Sequence, residues 1–179
     1  LVLIDMSKTV LVTGGAGFIG SNFVRAHRRR RPNDRILVLD LLTYAGSVEN
    51  IPQQDLENGA IEFHYGDIRN ASLVDNLVAK SDLVVHFAAE THVTRSIYDN
   101  YHFFETDVLG TQVLANSVIQ HIGRVERFVH VSTSEVYGSA LSEKMSEEHP
   151  LQPLSPYASA KVGADRLVYS YWATYRLPV

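Results

Sequence analysis

The sequence predicts an α/β chain: a doubly wound parallel sheet with helices on both faces. Three observations carry this. Short apolar runs alternate with helical stretches along the whole chain. The runs are nearly continuous in Val, Ile and Leu, as in strands buried on both faces. Each run closes on small or polar residues, from Thr13-Gly14-Gly15 after the first to Ser132-Thr133-Ser134 after the last.

A length of 179 residues suits one domain with a full core. Apolar residues make up 45% and charged residues 20%, a globular balance. The net charge of −4 argues against nucleic acid as the main partner, since phosphate-backbone binding requires a basic surface. The chain has no cysteine, which excludes disulfides, thiol catalysis and Cys-built metal sites and fits a reducing compartment. No apolar stretch approaches the ~20 residues of a membrane span, so no membrane association is expected. Leu1-Val2-Leu3-Ile4 is too short for a signal-peptide core. A cytoplasmic location is expected. Met6 reads as a natural start, residues 1–6 as an upstream leader or expression remnant, and residues 7–179 as the domain.

Thr9-Val10-Leu11-Val12 is the first strand, and Phe18–Arg30 reads as a helix with Ile19, Phe23 and Ala26 on its inner side. Its basic end, residues 28–31, is a solvated helix terminus stabilised by the helix dipole, and Pro32 stops it. Ile36-Leu37-Val38-Leu39 is the second strand, closed by Asp40, and Ile61–Tyr65 the third, closed by Gly66-Asp67. A short helix follows at residues 73–79, then a fourth strand at 83–87 ending in Ala88-Ala89. Residues 98–121 read as one long helix with Phe104, Val108, Leu114 and Val118 inward. A fifth strand covers residues 128–131, and a last helix runs from about residue 157 to residue 175. Leu177-Pro178-Val179 looks like the approach to a sixth strand, so the domain reads as cut short.

In such sheets ligands bind at the carboxyl ends of the strands. Gly14, Gly17 and Gly20 form G-x-x-G-x-x-G between the first strand and the first helix. One glycine allows the tight turn, one the approach of a pyrophosphate, and one close helix–strand packing. The helix N-terminus beside Phe18 and Ile19 then offers free N–H groups to the anion. Asp40 stands 20 residues after Gly20. Its carboxylate suits both ribose hydroxyls and would repel a 2′-phosphate, which favours NAD over NADP. Asp67 either accepts from the adenine amino group or caps the helix that follows.

Tyr157 and Lys161 form Y-x-x-x-K, four apart and so on one helical face. A lysine cation and a nicotinamide cation would lower the phenol from ~10 towards neutrality, which makes Tyr157 a base for a sugar hydroxyl and Lys161 also a ribose anchor. Thr133 could hydrogen-bond the same hydroxyl. Glu135 is either a second titratable group in the crevice or a solvated loop carboxylate. The eight histidines show no metal-ligand spacing, and no metal is expected. His92 follows Ala88-Ala89 towards the crevice, whereas His86 and His130 lie in strands and read as structural. Ala160, Ala164, Leu167, Tyr171 and Tyr175 make a packing stripe on the last helix.

These motifs together resemble the N-terminal half of the extended short-chain dehydrogenases/reductases, a Rossmann-fold family. The nearest group is the nucleoside-diphosphate-sugar 4,6-dehydratases. The resemblance rests on Thr13 to Asn22 around the glycine loop, Asp40-Leu41-Leu42-Thr43-Tyr44-Ala45-Gly46, Gly66-Asp67-Ile68, Ala88-Ala89-Glu90-Thr91-His92-Val93, Ser132 to Gly138, and Ser155 to Lys161. Leu-Thr-Tyr-Ala-Gly after the acidic residue points to the dTDP-glucose enzymes. Thr-Ser-Glu at 133–135 looks more like GDP-mannose 4,6-dehydratases and UDP-glucuronate decarboxylases. Ser134, Asp107 and Thr94 stand where Asp, Asn and Asp are usual.

The resemblance implies NAD held by Thr43, Ile68, Ala88, Ala89, Tyr157 and Lys161 besides the glycine loop, Asp40 and Asp67. It implies a nucleoside-diphosphate sugar met by Glu90, His92 and Thr133. The implied catalytic residues are Thr133, Ser134, Glu135, Tyr157 and Lys161. The implied reaction oxidises C4 of the sugar, removes the C5 proton at Glu135, loses water from C6 and returns hydride to C6. A UDP-glucuronate decarboxylase, a 4-epimerase and a non-catalytic dinucleotide-binding module are the alternatives. The family also implies a homodimer packed through the helices at 98–121 and 157–175, and a C-terminal substrate-binding part that this chain lacks.

Overall fold

Among the described residues of the computed structural model, 7–179, five parallel strands build one sheet. The expected leader, residues 1–6, lies outside the described residues. The strands are β1 (Thr9–Thr13), β2 (Arg35–Asp40), β3 (Ile61–Tyr65), β4 (Leu83–His86) and β5 (Arg127–His130). They lie in the order β3-β2-β1-β4-β5. The helices are α1 (Phe18–Arg30), α2 (Gln53–Glu57), α3 (Ala71–Val78), α4 (Val93–Tyr98), α5 (Tyr101–Phe103), α6 (Thr111–Gln120) and α7 (Pro156–Tyr175).

The continuous apolar runs resolve into two cores by the period of two along a strand. Leu11, Leu37, Leu39, Val84 and Phe128 face α3, α6 and α7, where Val74, Leu77, Leu114, Val118 and Val168 meet them. Val10, Val12, Ile36, Val38 and Val85 face the other way, against Val24 of α1. Burying each such side chain stabilises by about 1.5–3 kcal/mol, and polar residues fall at the strand ends except in the edge strand β3, where Glu62 and His64 are half-buried. The strand order reverses beside β1, between β2 and β4, and a cleft opens there at the carboxyl ends.

The helix ends follow local chemistry. Asn70 caps α3 by accepting from the Leu73 amide at 3.1 Å. Ser155 caps α7 by accepting from the Ala158 amide at 3.1 Å, with Pro156 opening the helix. Beyond α7, the Pro178 carbonyl accepts from the Phe128 amide at 2.8 Å, so the chain comes alongside β5 there.

Two sequence expectations are corrected. Residues 98–121 are not one regular helix. A π-type turn, Phe104–Gly110, separates α5 from α6. The extra residue in that turn shifts the phase of everything before it. Leu114 and Val118 are buried as expected, but Phe103 is buried in place of Phe104, which is exposed. On α1 the fully buried positions are Gly20, Ser21 and Val24, while Ile19 turns out towards the cleft mouth.

Candidate active site

The cleft at the strand ends has a volume of about 380 Å³. Its floor is the glycine loop. Gly14 has φ +70°, and a Cβ there would stand 2.5 Å from the Ala88 nitrogen at the end of β4. A Cβ on Gly20 would stand 2.2 Å from the Gly14 carbonyl oxygen. These two glycines are therefore demanded by the protein itself. Gly17 is different: a Cβ there meets only the Gly14 oxygen at 3.4 Å, an ordinary contact. Its bare face lines the cleft, with Phe18 and Ile19 beside it at the start of α1. A helix N-terminus that opens on a cleft in this way leaves free amides able to receive an anion.

Asp40 closes β2 and binds the loop. Its Oδ2 accepts from the Ala16 amide at 2.9 Å and its Oδ1 from the Leu42 amide at 2.8 Å. Leu42 takes a left-handed φ of 53°, unfavourable for a bulky side chain, and the bond to Asp40 holds it there. Each carboxylate oxygen keeps a further lone pair, so Asp40 can still receive ribose hydroxyls. Its role as fastener of the loop is not visible in the sequence, because Ala16 and Asp40 meet only through the β1–β2 pairing.

Every residue nominated for the dinucleotide lines this cleft, including Thr43, Asp67, Ile68, Ala88, Ala89, Tyr157 and Lys161, and Glu90 lines it too. Asp67 does not cap α3, where Asn70 serves. Its carboxylate accepts from Arg69, at 2.8 Å from the amide and 2.9 Å from Nε. Burial pushes it up, but those bonds and the Arg69 charge hold it below the ordinary carboxylate range. His92 is exposed and meets the Tyr44 ring edge-on at 6.5 Å. Thr133 and Ser134 line a second cavity of about 520 Å³ that shares Ser132 with the first. Ser134 and Glu135 are exposed at the start of a 3₁₀ turn, Ser134–Tyr137.

Tyr157 is buried against Phe103, its ring edge-on at 6.4 Å. Burial pushes the phenol above its ordinary value. A hydrogen bond from Thr133 works the other way, and the charges of Asp107 and Glu135 add to the rise. The lowering expected from Lys161 is therefore not supplied by the protein groups alone. Lys161 is 5% exposed and donates from Nζ to the Val131 carbonyl at 2.9 Å. Burial draws it below the usual lysine range, against the pull of Asp107 and Asp165.

Behind the cleft runs a buried polar chain. His86 bonds Thr13 Oγ1 through Nδ1 at 2.7 Å and Thr111 Oγ1 through Nε2 at 3.0 Å. Thr111 Oγ1 donates to the Asp107 carbonyl at 2.5 Å. Burial holds His86 well below its ordinary value and takes His130 down to about 4, so both are neutral at pH 7.

Asp107, 1% exposed, is pushed up to about 7 by burial. The folded carboxyl holds its proton more tightly than the unfolded one. The contribution of Asp107 to stability therefore falls as pH rises from about 4 to about 7, by up to roughly 4 kcal/mol, and stays reduced above that. Asp107→Asn keeps the acceptor and cannot ionise. Its denaturant midpoint is expected to match that of the parent near pH 4 and to exceed it at pH 8. Equal midpoints at pH 8 would contradict the burial argument.

Among the described residues no three His, Asp or Glu side chains cluster as a metal site, and no helix is long and apolar enough to cross a membrane.

The family model described as GDP-mannose 4,6 dehydratase matches residues 11–179. The chain belongs to the GDP-mannose 4,6-dehydratase family. Within that family it is 50% identical, over 175 residues, to a dTDP-glucose 4,6-dehydratase of Streptomyces antibioticus, covering 95% of this chain and 50% of the relative. It is 48% identical to the low-salt glycan biosynthesis protein Agl12 of Haloferax volcanii, covering 94% and 53%. Among solved structures, DesIV, a dTDP-glucose 4,6-dehydratase from Streptomyces venezuelae crystallised with NAD, superposes with a TM-score of 0.87 at 47% identity. That match covers 94% of this chain and 53% of DesIV. A UDP-glucose 4-epimerase from Thermotoga maritima superposes at 0.83 with 27% identity, covering 94% and 52%. The chain thus spans about half the length of the curated relatives it matches.

Proposed function

We propose that this chain forms the cofactor-binding and catalytic part of an NAD-dependent nucleoside-diphosphate-sugar 4,6-dehydratase of the dTDP-glucose type. The observation that carries this reading is the placement of Tyr157 and Lys161 in the same cleft as the glycine cradle and Asp40. The 50% identity to a dTDP-glucose enzyme, against 27% to an epimerase of the same fold, favours the dehydratase.

The cradle fits the group. Amides at the start of α1 take the pyrophosphate against the bare face of Gly17, and Asp40 takes the adenosine ribose. The Asp40 carboxylate would repel a 2′-phosphate, which selects NAD. Bound NAD supplies a hydride acceptor for C4 and a donor for C6. Tyr157 takes the proton of the C4 hydroxyl, held by Thr133, whose hydroxyl already bonds the phenol. Lys161 supports the phenolate by its charge and offers donors to a ribose. The 4-ketone acidifies the C5 proton, which Glu135 removes. Ser134 has no acidic proton near neutral pH, so Glu135 returns its proton to the departing C6 hydroxyl, which leaves as water. C6 then takes the hydride back while C5 takes a proton from solvent, and Tyr157 releases to solvent the proton it took from the C4 hydroxyl, so that the protons balance.

The test is mass spectrometry of products from dTDP-glucose, UDP-glucose, GDP-mannose and UDP-glucuronate. Loss of water from dTDP-glucose is expected. Loss of carbon dioxide from UDP-glucuronate would establish a decarboxylase instead, and conversion without mass change an epimerase. Glu135→Gln should still oxidise C4, with reduced nicotinamide accumulating in the absorbance, and should release little water. Unimpaired water loss would remove Glu135 from the C5 step.

The same reading includes a cytoplasmic site, where NAD and nucleotide sugars are available. It also includes a homodimer. Tyr169, Trp172 and Tyr175 on α7 and Phe104 and Leu109 beside it are large exposed apolar side chains, a surface suited to a second copy. Light scattering is expected to give twice the chain mass; a monomer at all concentrations would refute the dimer.

A further inference from the structure

Asp107 has no part in the steps above, yet it is buried against the residues that perform them. It lies in the π-type turn that packs on α7, where Gly163 makes room: a Cβ there would come within 3.0 Å of Val108. Oδ1 is anchored, accepting from the Glu90 amide at 2.8 Å. Oδ2 is buried and has no partner. A carboxylate with one oxygen bare in such a place is costly, and the neutral acid much less so. The charged and titratable groups facing it are Lys161 and Tyr157 on α7 and Glu90 after β4. His86 reaches the turn only through Thr111 and is neutral.

We propose that Asp107 is a positioning residue that sets the Tyr157–Lys161 pair by its own proton. Neutral, it leaves Asp165 as the acidic group acting on the Lys161 ammonium and takes one negative charge away from the phenol; ionised, it offsets the ammonium and opposes the phenolate. This rests on reading Tyr157 as the base. The ionised form acts on both partners in the direction required, raising the phenol and the ammonium alike. Since burial brings the carboxyl to about 7, its state changes in the range where an enzyme of neutral pH works.

The experiment reads Tyr157 ionisation directly, as the ultraviolet difference between the intact protein and its Tyr157→Phe variant from neutral to alkaline pH. The measurement is repeated with Asp107→Asn in both backgrounds. Asn keeps the acceptor for the Glu90 amide, so the turn is preserved. In Asp107→Asn the phenol is expected to ionise about one pH unit lower, a tenfold gain in phenolate fraction. The rising limb of kcat/KM should move with it. A carbon-13 NMR titration of the carboxyls should show one signal titrating near neutrality in the parent and missing from the variant. An unchanged phenol titration in folded Asp107→Asn would overturn the proposal. So would an Asp107 carboxyl that titrates in the ordinary range, a result readable on the parent alone if the variant does not fold. Neither readout needs substrate or cofactor, so failure of the dehydratase reading shows separately, as the wrong product or as turnover surviving Tyr157→Phe.

Discussion

Tyr157→Phe is expected to lower turnover by roughly 10²–10⁴-fold, the usual worth of a positioned acid–base group, while dinucleotide affinity stays within about twofold. The substitution removes one oxygen and keeps the ring. The ring is what packs, edge-on to Phe103 and against Ala160 and Val108. The link to Ser96 runs through the backbone amide of residue 157, at 3.1 Å from the serine oxygen, and survives. Thr133 loses a partner but sits half-buried at a cavity edge, where water can replace it. Folding should therefore be unchanged, and loss of turnover can be assigned to chemistry. Steady-state assays paired with fluorescence titration of the dinucleotide separate the two. Turnover within tenfold of the parent would require another base.

The glycine loop gives the second large effect, through a contrast between two alanines. Gly20→Ala places a methyl 2.2 Å from the Gly14 oxygen and 2.9 Å from the Gly15 Cα, all of it backbone. The α1–β1 packing must then open, at a cost of about 1–3 kcal/mol or more. The cradle should be lost with it. Gly17→Ala meets only one ordinary contact, and residue 17 has φ −77°, which alanine accepts. Its stability should stay within about 0.5 kcal/mol of the parent. The methyl nevertheless projects from a cleft-lining position, and dinucleotide affinity is expected to fall at least tenfold. Thermal melts with and without NAD distinguish the variants. Gly17→Ala should melt like the parent alone but gain little from NAD, whereas Gly20→Ala should melt early under both conditions. A full NAD-induced shift in Gly17→Ala would mean that the pyrophosphate does not approach that face.

The strands, α1 and α7 are legible in the sequence because their signals are local: runs of β-branched and aliphatic residues, a glycine turn, a Ser-Pro helix start. That the residues expected at the dinucleotide share one cleft was legible for a related reason. Parallel strands all end on one side, so residues that close strands share a cleft wherever the strands fall in the sheet. The π-type turn was not legible. An inserted residue leaves a hydrophobic pattern that still reads as helical, and only burial reveals that Phe103 has taken the place expected for Phe104.

What the sequence by itself determined is the alternation of elements, the glycine cradle and the chemical groups gathered at the strand ends, since these follow from neighbours a few residues apart. What only the tertiary structure decided is how those groups are tuned. Asp40 fastens the loop through Ala16, Arg69 occupies Asp67, burial raises Tyr157, and Asp107 is sealed between α7 and the segment after β4. Each depends on burial or on partners brought together by packing, and desolvation is a property of the assembled core that no stretch of sequence carries alone.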